Sequence, residues 1–306
     1  MEVAFFTEMG FRGKVPRTHR NQRTEFSWMC ATDADHWNLA DVPDRHYDLA
    51  ILITPKNNPT VVDVDRIKKY ADRVGVMQEG PSWFFQDYSL ENQIHYFNNL
   101  KKADIIFVHN EQDKLYYQGL TGHPKVNVLR SLMITDTLEN KCTTSDRNGV
   151  MIGGNMKSWY GGFDSFVLAK SIEEDIYQPR MGRRQEGEEA LGINQLPYLE
   201  WTDWVIELSK RKIGVHMMRV WAAGTFAMNC GFLGIPCIGY DYLDTQRILH
   251  PQLTIKDGDM VEAKRLIKRL NEDEKFYQEC SNVTQKRFKE YYSENAWKSH
   301  FYSQLQ

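Results

Sequence analysis

The chain has 306 residues, enough for two domains, and its formal net charge of −3 excludes a basic surface spread over the whole protein. Its five cysteines are odd in number and form no Cys-x-x-Cys pair, which excludes a disulfide framework and a zinc knuckle and leads us to expect a cytoplasmic protein. The first residues lack the basic and apolar segments of a signal peptide, and no run of about 18 apolar residues predicts a membrane span.

Strands alternate with helical segments through the first 130 residues. Buried-type strands are predicted at residues 3–6, 48–53, 73–77, 103–108 and 126–129. Helical spacing of apolar residues is found at residues 61–71, 91–101 and 111–119. This alternation predicts parallel βαβ units.

The polar stretch that follows lacks apolar periodicity and indicates an interdomain linker at residues 136–148. Residues 1–135 form the first predicted domain, residues 149–282 repeat the strand and helix alternation as a second, and the helices of residues 283–306 are expected to pack back toward the first. The predicted fold class is α/β, with two doubly wound Rossmann-like domains facing a cleft.

Residues 213–241 carry the strongest local signal, because they read as strand, glycine-containing turn, helix, turn and strand. Thr225 is the predicted N-cap of this helix, and small residues around Gly224 leave backbone N–H groups free to bind an anion. His216 and Arg219 directly precede the turn and can add donors, so the stretch predicts a diphosphate site.

Several motifs in order resemble those of glycosyltransferases of the GT-B fold. They are a strand at residues 103–110, a strand and glycine turn at residues 150–154, the helix and strand of residues 224–241, and a closing segment at residues 257–276. The resemblance implies an enzyme, a hexosyl- or pentosyltransferase, whose second domain binds a nucleotide-sugar and whose first domain binds the acceptor. It implies a UDP-sugar as donor, with no metal and no further cofactor.

On this resemblance the donor site takes in the glycine turn, the base-covering segment and the phosphate-binding helix. Its expected residues are Gly154, Asn155, Lys157, Tyr198, His216, Arg219, Gly224, Thr225, Phe226 and Asn229. Lys157 is expected to neutralise the leaving diphosphate and Tyr198 to stack on the base, with Trp201 assigned to the core. Many retaining members carry two glutamates where this chain has Trp221 and Asn229, so inversion and retention both stay open.

Three carboxylates are candidates for the base that deprotonates the acceptor. Glu79 follows the third predicted strand, Glu8 follows the first, and Asp87 lies a few residues beyond Glu79. A base must be a positioned carboxylate or histidine, and the carboxyl ends of parallel strands face the cleft. Only one of the three is required, and the others are free to bind sugar or cap helices.

A basic loop, residues 11–23, has five cations and no acid: Arg12, Lys14, Arg17, Arg20 and Arg23. Such loops contact phosphates, and Trp83 is placed to stack on a base. The loop and residues 23–28 resemble bacteriophage glycosyltransferases that modify hydroxymethylated DNA, which implies double-stranded DNA as acceptor. The alternative for the loop is a solvated surface without a ligand.

Three other functions remain open at this stage. The first is a glycosyltransferase whose acceptor is a polysaccharide or another glycan. A sugar-nucleotide epimerase on the same fold would use cleft groups such as Glu79 and His109, and a non-catalytic module would bind a ligand in the cleft. The sequence does not specify the sugar or the oligomeric state.

Overall fold

The computed structural model describes residues 1–8, 12–56, 58–180 and 184–306. The first of its two sheets has seven strands in the spatial order β2-β3-β1-β4-β5-β6-β7. The β2–β3 pair is antiparallel, and the other described pairs of this sheet are parallel. Its strands are β1 (Val3–Thr7), β2 (Gly13–Lys14), β3 (Asp35–Asn38), β4 (Tyr47–Thr54), β5 (Ala71–Gln78), β6 (Ile105–Val108) and β7 (Val126–Val128).

The second sheet is parallel throughout and has the order β10-β9-β8-β11-β12-β13. Its strands are β8 (Val150–Ile152), β9 (Ile176–Gln178), β10 (Asn194–Gln195), β11 (Ile213–His216), β12 (Cys237–Tyr240) and β13 (Thr254–Ile255). The order of strands reverses between β8 and β11, and it reverses in the first sheet between β1 and β4. Ligands bind beyond the carboxyl ends of strands at such switch points.

Helices cover both faces of each sheet. They are α1 (Thr24–Thr32), α2 (Val64–Ile67), α3 (Trp83–Gln86), α4 (Leu90–Lys102), α5 (Glu111–Thr121), α6 (Gly162–Ala169), α7 (Trp201–Ser209), α8 (Thr225–Leu233), α9 (Asp244–Leu249), α10 (Met260–Glu272), α11 (Glu274–Tyr291) and α12 (Glu294–Ser303). Separate apolar clusters fill the two faces of each sheet. These layers confirm the predicted α/β class with two doubly wound domains.

Three local predictions differ from the structure. Helix α1 and strand β3 were not predicted, because seven of the nine residues of α1 are buried and its sequence has no polar face. The helix expected at residues 61–71 is a single turn, α2. Thr225 is not a cap: Gly224 is the N-cap of α8, without a side-chain hydrogen bond.

The last helix returns to the first domain. Trp297 and Phe301 of α12 are buried in the same cluster as Phe5 and Trp28. Helix α11 runs across position 283 and packs against α8, so the return begins at α12. Within the described chain, no helix combines the length and apolar character that crossing a membrane requires.

Candidate active site

A cavity of about 670 Å³ opens between the two sheets. The switch points of both domains line it: Glu8 follows β1, Lys56 follows β4, Gly154 follows β8, and His216 ends β11. Two parallel sheets therefore direct their strand ends into one space, which is where α/β proteins bind ligands.

The N-terminus of α8 faces this cavity. Gly224 has φ +68°, a left-handed conformation that favours glycine, and a Cβ there would lie 2.0 Å from Thr245 Oγ1. Gly224, Thr225 and Phe226 all line the cavity, and the glycine cap supplies no side chain to occupy the first amides. The turn therefore presents free N–H groups and the positive end of the helix dipole to a ligand.

Two buried polar side chains line the cavity beside this helix. His216 and Asn229 are 6% and 2% exposed, and neither His216 ring nitrogen nor Asn229 Oδ1 has a hydrogen-bond partner among the described residues. Burial lowers the pKa of His216 to about 4, so its ring is neutral at pH 7. A Cβ on Gly153 would lie 2.8 Å from His216 Cγ, so the glycine is needed for the ring to fit. Buried groups without partners indicate a place for ligand atoms.

The structure does not bring Arg219 to the cavity. Its Nη2 lies 3.0 Å from Asp164 and its Nε lies 3.0 Å from Asp257, while its guanidinium covers the Tyr240 ring. Its backbone N–H donates to Trp159 at 3.0 Å, which turns the chain away from the end of β11. The predicted diphosphate clamp is therefore not formed by this arginine.

Asn155 and Lys157 also lie outside the cavity lining. The Lys157 side chain is exposed, and the Lys157 backbone N–H donates to Asn155 Oδ1 at 3.1 Å. Arg180, which no local sequence motif marks, also lines the cavity on the second-domain side. Tyr198 lies at the wall and is 69% exposed, whereas Trp201 is buried in the core at 4%.

Two of the three candidate bases line the cavity. Glu79 and Glu8 do so, together with Glu25 of α1, whereas Asp87 is exposed outside the lining at the end of α3. Burial away from water raises the pKa of Glu79, and the charges of Glu25 and Glu8 raise it further, while Lys56 lowers it. Glu79 thus lines the cavity with a carboxylate whose pKa is raised.

His109 directly follows β6 and also lines the cavity. It is 8% exposed, its Nδ1 has no partner among the described residues, and its ring lies 5.7 Å from Trp28. Burial lowers its pKa to about 4, so it faces the cavity as a neutral ring. A neutral imidazole can donate one hydrogen bond and accept one.

The basic loop is tied down by acids from elsewhere in the chain. The ion pairs are Arg12 with Asp41, Lys14 with Asp33 and Asp35, Arg17 with Asp136 and Glu294, and Arg20 with Asp203. Arg23 lines the cavity, and its Nε donates to Asn21 Oδ1 at 3.0 Å. Residue 11 lies outside the described residues. The loop thus offers far less uncompensated positive charge than its composition predicts.

Trp83 belongs to a contact between the domains and not to the cavity lining. Its ring meets that of Trp159 edge-on at 5.5 Å, and it packs with Met218 and Leu243 of the second domain. The Trp83 ring is therefore occupied by this interdomain packing and does not lie where the predicted stacking on an acceptor base requires it. No group of three or more metal-ligating side chains occurs within the part of the chain that the structure describes.

The sequence matches no family model and no curated protein. Solved structures do match over the whole chain. An "alpha-glucosyltransferase in complex with UDP-glucose and DNA containing an abasic site" is 14% identical, with 99% of each chain covered and a TM-score of 0.66. Anabaena Alr3699/HepE in complex with UDP is 9% identical over 100% of this chain and 99% of its own, with a TM-score of 0.68.

Sucrose-phosphate synthase from Thermosynechococcus elongatus is 13% identical, with 99% of this chain and 89% of its own covered and a TM-score of 0.67. At these identities the likeness concerns the fold. The protein therefore has the GT-B fold of glycosyltransferases, two Rossmann-like domains facing each other across a cleft, as the sequence motifs predicted.

Proposed function

We propose that this protein is a glycosyltransferase that moves a sugar from a nucleotide-sugar donor to an acceptor hydroxyl. The observation that carries the proposal is the shared cavity. Both switch points, the N-terminus of α8 and the carboxylate of Glu79 all line it. An anion-binding helix end and a carboxylate on opposite domains are the two parts that glycosyl transfer needs.

The donor is placed on the second domain. The amides of Gly224 and Thr225 receive the diphosphate, Arg180 adds positive charge, and Asn229 and neutral His216 supply hydrogen bonds. UDP is the proposed nucleotide, supported by the UDP and UDP-glucose in the matched structures. Fixed donors take the place of a metal ion in stabilising the departing diphosphate.

Glu79 is the proposed base on the first domain. In an inverting reaction it takes the proton of the acceptor hydroxyl as that oxygen attacks the anomeric carbon and the bond to the diphosphate breaks. In a retaining reaction the leaving phosphate takes the proton, and Glu79 instead orients the acceptor. Trp221, which replaces a family glutamate, packs on Tyr242 and not at the cavity, so it selects neither course.

Hydroxymethylated DNA is the acceptor proposed from the sequence, and one observation favours it. Two matched glucosyltransferase structures hold DNA, one of them a 13-mer containing an HMU base, at 14% and 15% identity. The positive charge of the basic loop no longer supports DNA as acceptor, because four of its five cations are ion-paired. The experiments below therefore test DNA against other acceptors. We also propose a cytoplasmic site of action, which the five free cysteines support.

The test is thermal stabilisation by nucleoside diphosphates and nucleotide-sugars. A ligand at about 100 times its Kd adds about 2.7 kcal/mol to the free energy of unfolding, which raises Tm measurably. We expect a shift with UDP or UDP-sugars and a smaller one with other diphosphates. If no nucleotide raises Tm, the donor site and the proposed activity are both wrong.

A further inference from the structure

The first-domain wall of the cavity is rich in carboxylates. Glu8 follows β1, Glu25 lies on α1 and Glu79 follows β5, and all three line the same space. The cations on this wall are Lys56, whose Nζ lies 4.2 Å from the centre of the Phe84 ring, and Arg23. Burial raises the pKa of Glu79 and the charges of Glu25 and Glu8 raise it further, while the backbone N–H and the charge of Lys56 lower it.

His109 gives this wall a second, independent feature. The ring is more than nine-tenths buried and lines the cavity, with Nδ1 unpaired within the described chain. A buried ring nitrogen without a partner leaves a hydrogen bond for a ligand to complete. A neutral imidazole suits a group that both donates and accepts hydrogen bonds, as a hydroxyl does.

The basic loop contributes Arg23 to the cavity lining, while its other cations lie outside that lining. Four of the five cations of the basic loop are held by carboxylates at positions 33, 35, 41, 136, 203 and 294. Among the described residues, the charged side chains that line the cavity are Glu8, Glu25, Glu79 and Glu200 against Arg23, Lys56 and Arg180, so carboxylates outnumber cations there by one. Binding of nucleic acid depends on unpaired cations near the phosphates.

We infer that Glu8, Glu25, Glu79 and His109 form an acceptor subsite for an uncharged, hydroxyl-rich molecule, a neutral saccharide. The inference rests on the proposed glycosyltransferase function and names its acceptor class. The carboxylates accept hydrogen bonds from saccharide hydroxyls, and Glu79 also receives the proton of the reacting one. Phosphorylated sugars and DNA are disfavoured by the same charges.

The experiment uses the full chain with UDP bound. Thermal shift and calorimetry measure binding of a panel of neutral mono- and disaccharides, of glucose 6-phosphate, and of a duplex containing 5-hydroxymethylcytosine. UDP release from UDP-glucose and mass spectrometry of the product then show which probe is modified. We expect binding and transfer with neutral saccharides, with glucose 6-phosphate weaker than glucose by about tenfold or more.

Glu25→Gln tests the wall itself. Thr24 Oγ1 donates to the Glu25 carboxylate, and a glutamine oxygen can still accept that bond. We expect saccharide affinity to fall about tenfold, the ratio of glucose to glucose 6-phosphate affinity to narrow, and the UDP-induced Tm shift to stay unchanged. Glu139→Gln, an exposed residue outside the cavity lining, is the matched control and leaves all three values unchanged.

The outcomes separate the two proposals. A missing UDP shift refutes the glycosyltransferase function, whereas a normal UDP shift without binding or modification of any neutral saccharide refutes only the acceptor subsite. Modification of the duplex in preference to the saccharides assigns the cavity to nucleic acid and also overturns the inference. An unchanged preference between glucose and glucose 6-phosphate in Glu25→Gln contradicts the role of the acidic wall.

Discussion

Trp83 of the first domain and Trp159 of the second meet edge-on at 5.5 Å, at the rim of the cleft. Lys56 lies 5.9 Å from the centre of the Trp159 ring and 4.2 Å from that of Phe84, so a cation joins the aromatic contact. This cluster links the switch-point loop after β4 to the loop after β8. This interdomain contact therefore lies directly beside the cavity, which Lys56, Phe84 and Trp159 line.

Trp83→Ala should loosen this link. Removing the ring takes away an interdomain aromatic contact worth about 1 kcal/mol beyond its buried area, so the cleft opens more often. We expect faster hydrogen exchange at residues 158–160 and slower sugar transfer, with UDP binding retained. Trp221→Ala is the control, because its ring contacts Tyr242 within the second domain, and equal effects of the two variants would argue against a link.

Glu79→Gln should abolish most of the transfer activity. General base catalysis contributes about 10²–10⁴-fold, and the amide cannot accept the proton. Asp87→Asn should retain activity close to that of the parent, since Asp87 is exposed outside the cavity lining. Steady-state rates with saturating UDP-sugar decide the matter, and a larger loss in Asp87→Asn would move the base to that residue.

The fall in transfer rate on the acid side of the pH profile, its acid limb, should depend on the charges around Glu79. Its pKa is raised by burial and by Glu25 and Glu8, so the reactive carboxylate is lost as pH falls through a value above the ordinary 4.5. In Glu25→Gln one repelling charge is gone, and the limb should move to lower pH. A pH profile of kcat/KM measures this, and a limb that moves upward or stays in place contradicts the arrangement.

Buried histidines should make the fold sensitive to mild acid. Burial lowers the pKa values of His109, His216 and His250 to about 4 from the ordinary 6.5. The unfolded chain therefore takes up protons below 6.5 that the native state takes up only near 4. The free energy of unfolding should fall as pH decreases through that window, by about 1.4 kcal/mol per pH unit for each histidine.

Urea unfolding at about pH 7, 6 and 5 measures this slope. His216→Gln should reduce the slope by the contribution of one proton, since glutamine does not titrate. Equal free energies of unfolding at pH 7 and pH 5 would show that these rings take up protons in the native state as readily as in the unfolded chain. Bound UDP that accepts a hydrogen bond from His216 should also reduce the slope.

Gly224→Ala should remove nucleotide binding. The new Cβ would lie 2.0 Å from Thr245 Oγ1, and φ +68° strains any residue with a Cβ. Gly258→Ala is a matched control, because Gly258 has φ +80° and a Cβ added there would meet no atom within 4 Å. We expect both variants to lose about 1 kcal/mol from backbone strain, and only Gly224→Ala to lose the UDP-induced Tm shift as well.

The parts of the site that follow strand ends were predictable from the sequence. Glu8, Glu79 and Gly224 each directly adjoin a strand or helix whose pattern is strong, so their places follow from the sheet. Arg219 lies only three residues beyond β11, yet its direction is set by Asp164 and Asp257, which are distant in sequence. Local pattern carries no information about such partners.

The position of Glu25 in the cavity wall could not be predicted either, again because local sequence pattern gives no sign of it. It lies on α1, a helix buried on most sides whose sequence lacks an apolar stripe, so neither the helix nor its carboxylate was visible. The charge of the basic loop was overestimated because the acids that hold it come from four separate parts of the chain. In both cases the deciding contacts are long-range.

The ion pairs of the basic loop also bear on how acceptor choice changes over evolution. Four of the five loop cations have their own carboxylate partners, so loss of a single acid such as Asp41 or Asp203 frees one arginine without altering the cleft. In the proposed glycosyltransferase, affinity for polyanions would thus depend largely on residues other than those proposed to take part in sugar transfer. A lineage can gain or lose a nucleic-acid surface by single substitutions while its catalytic machinery stays intact.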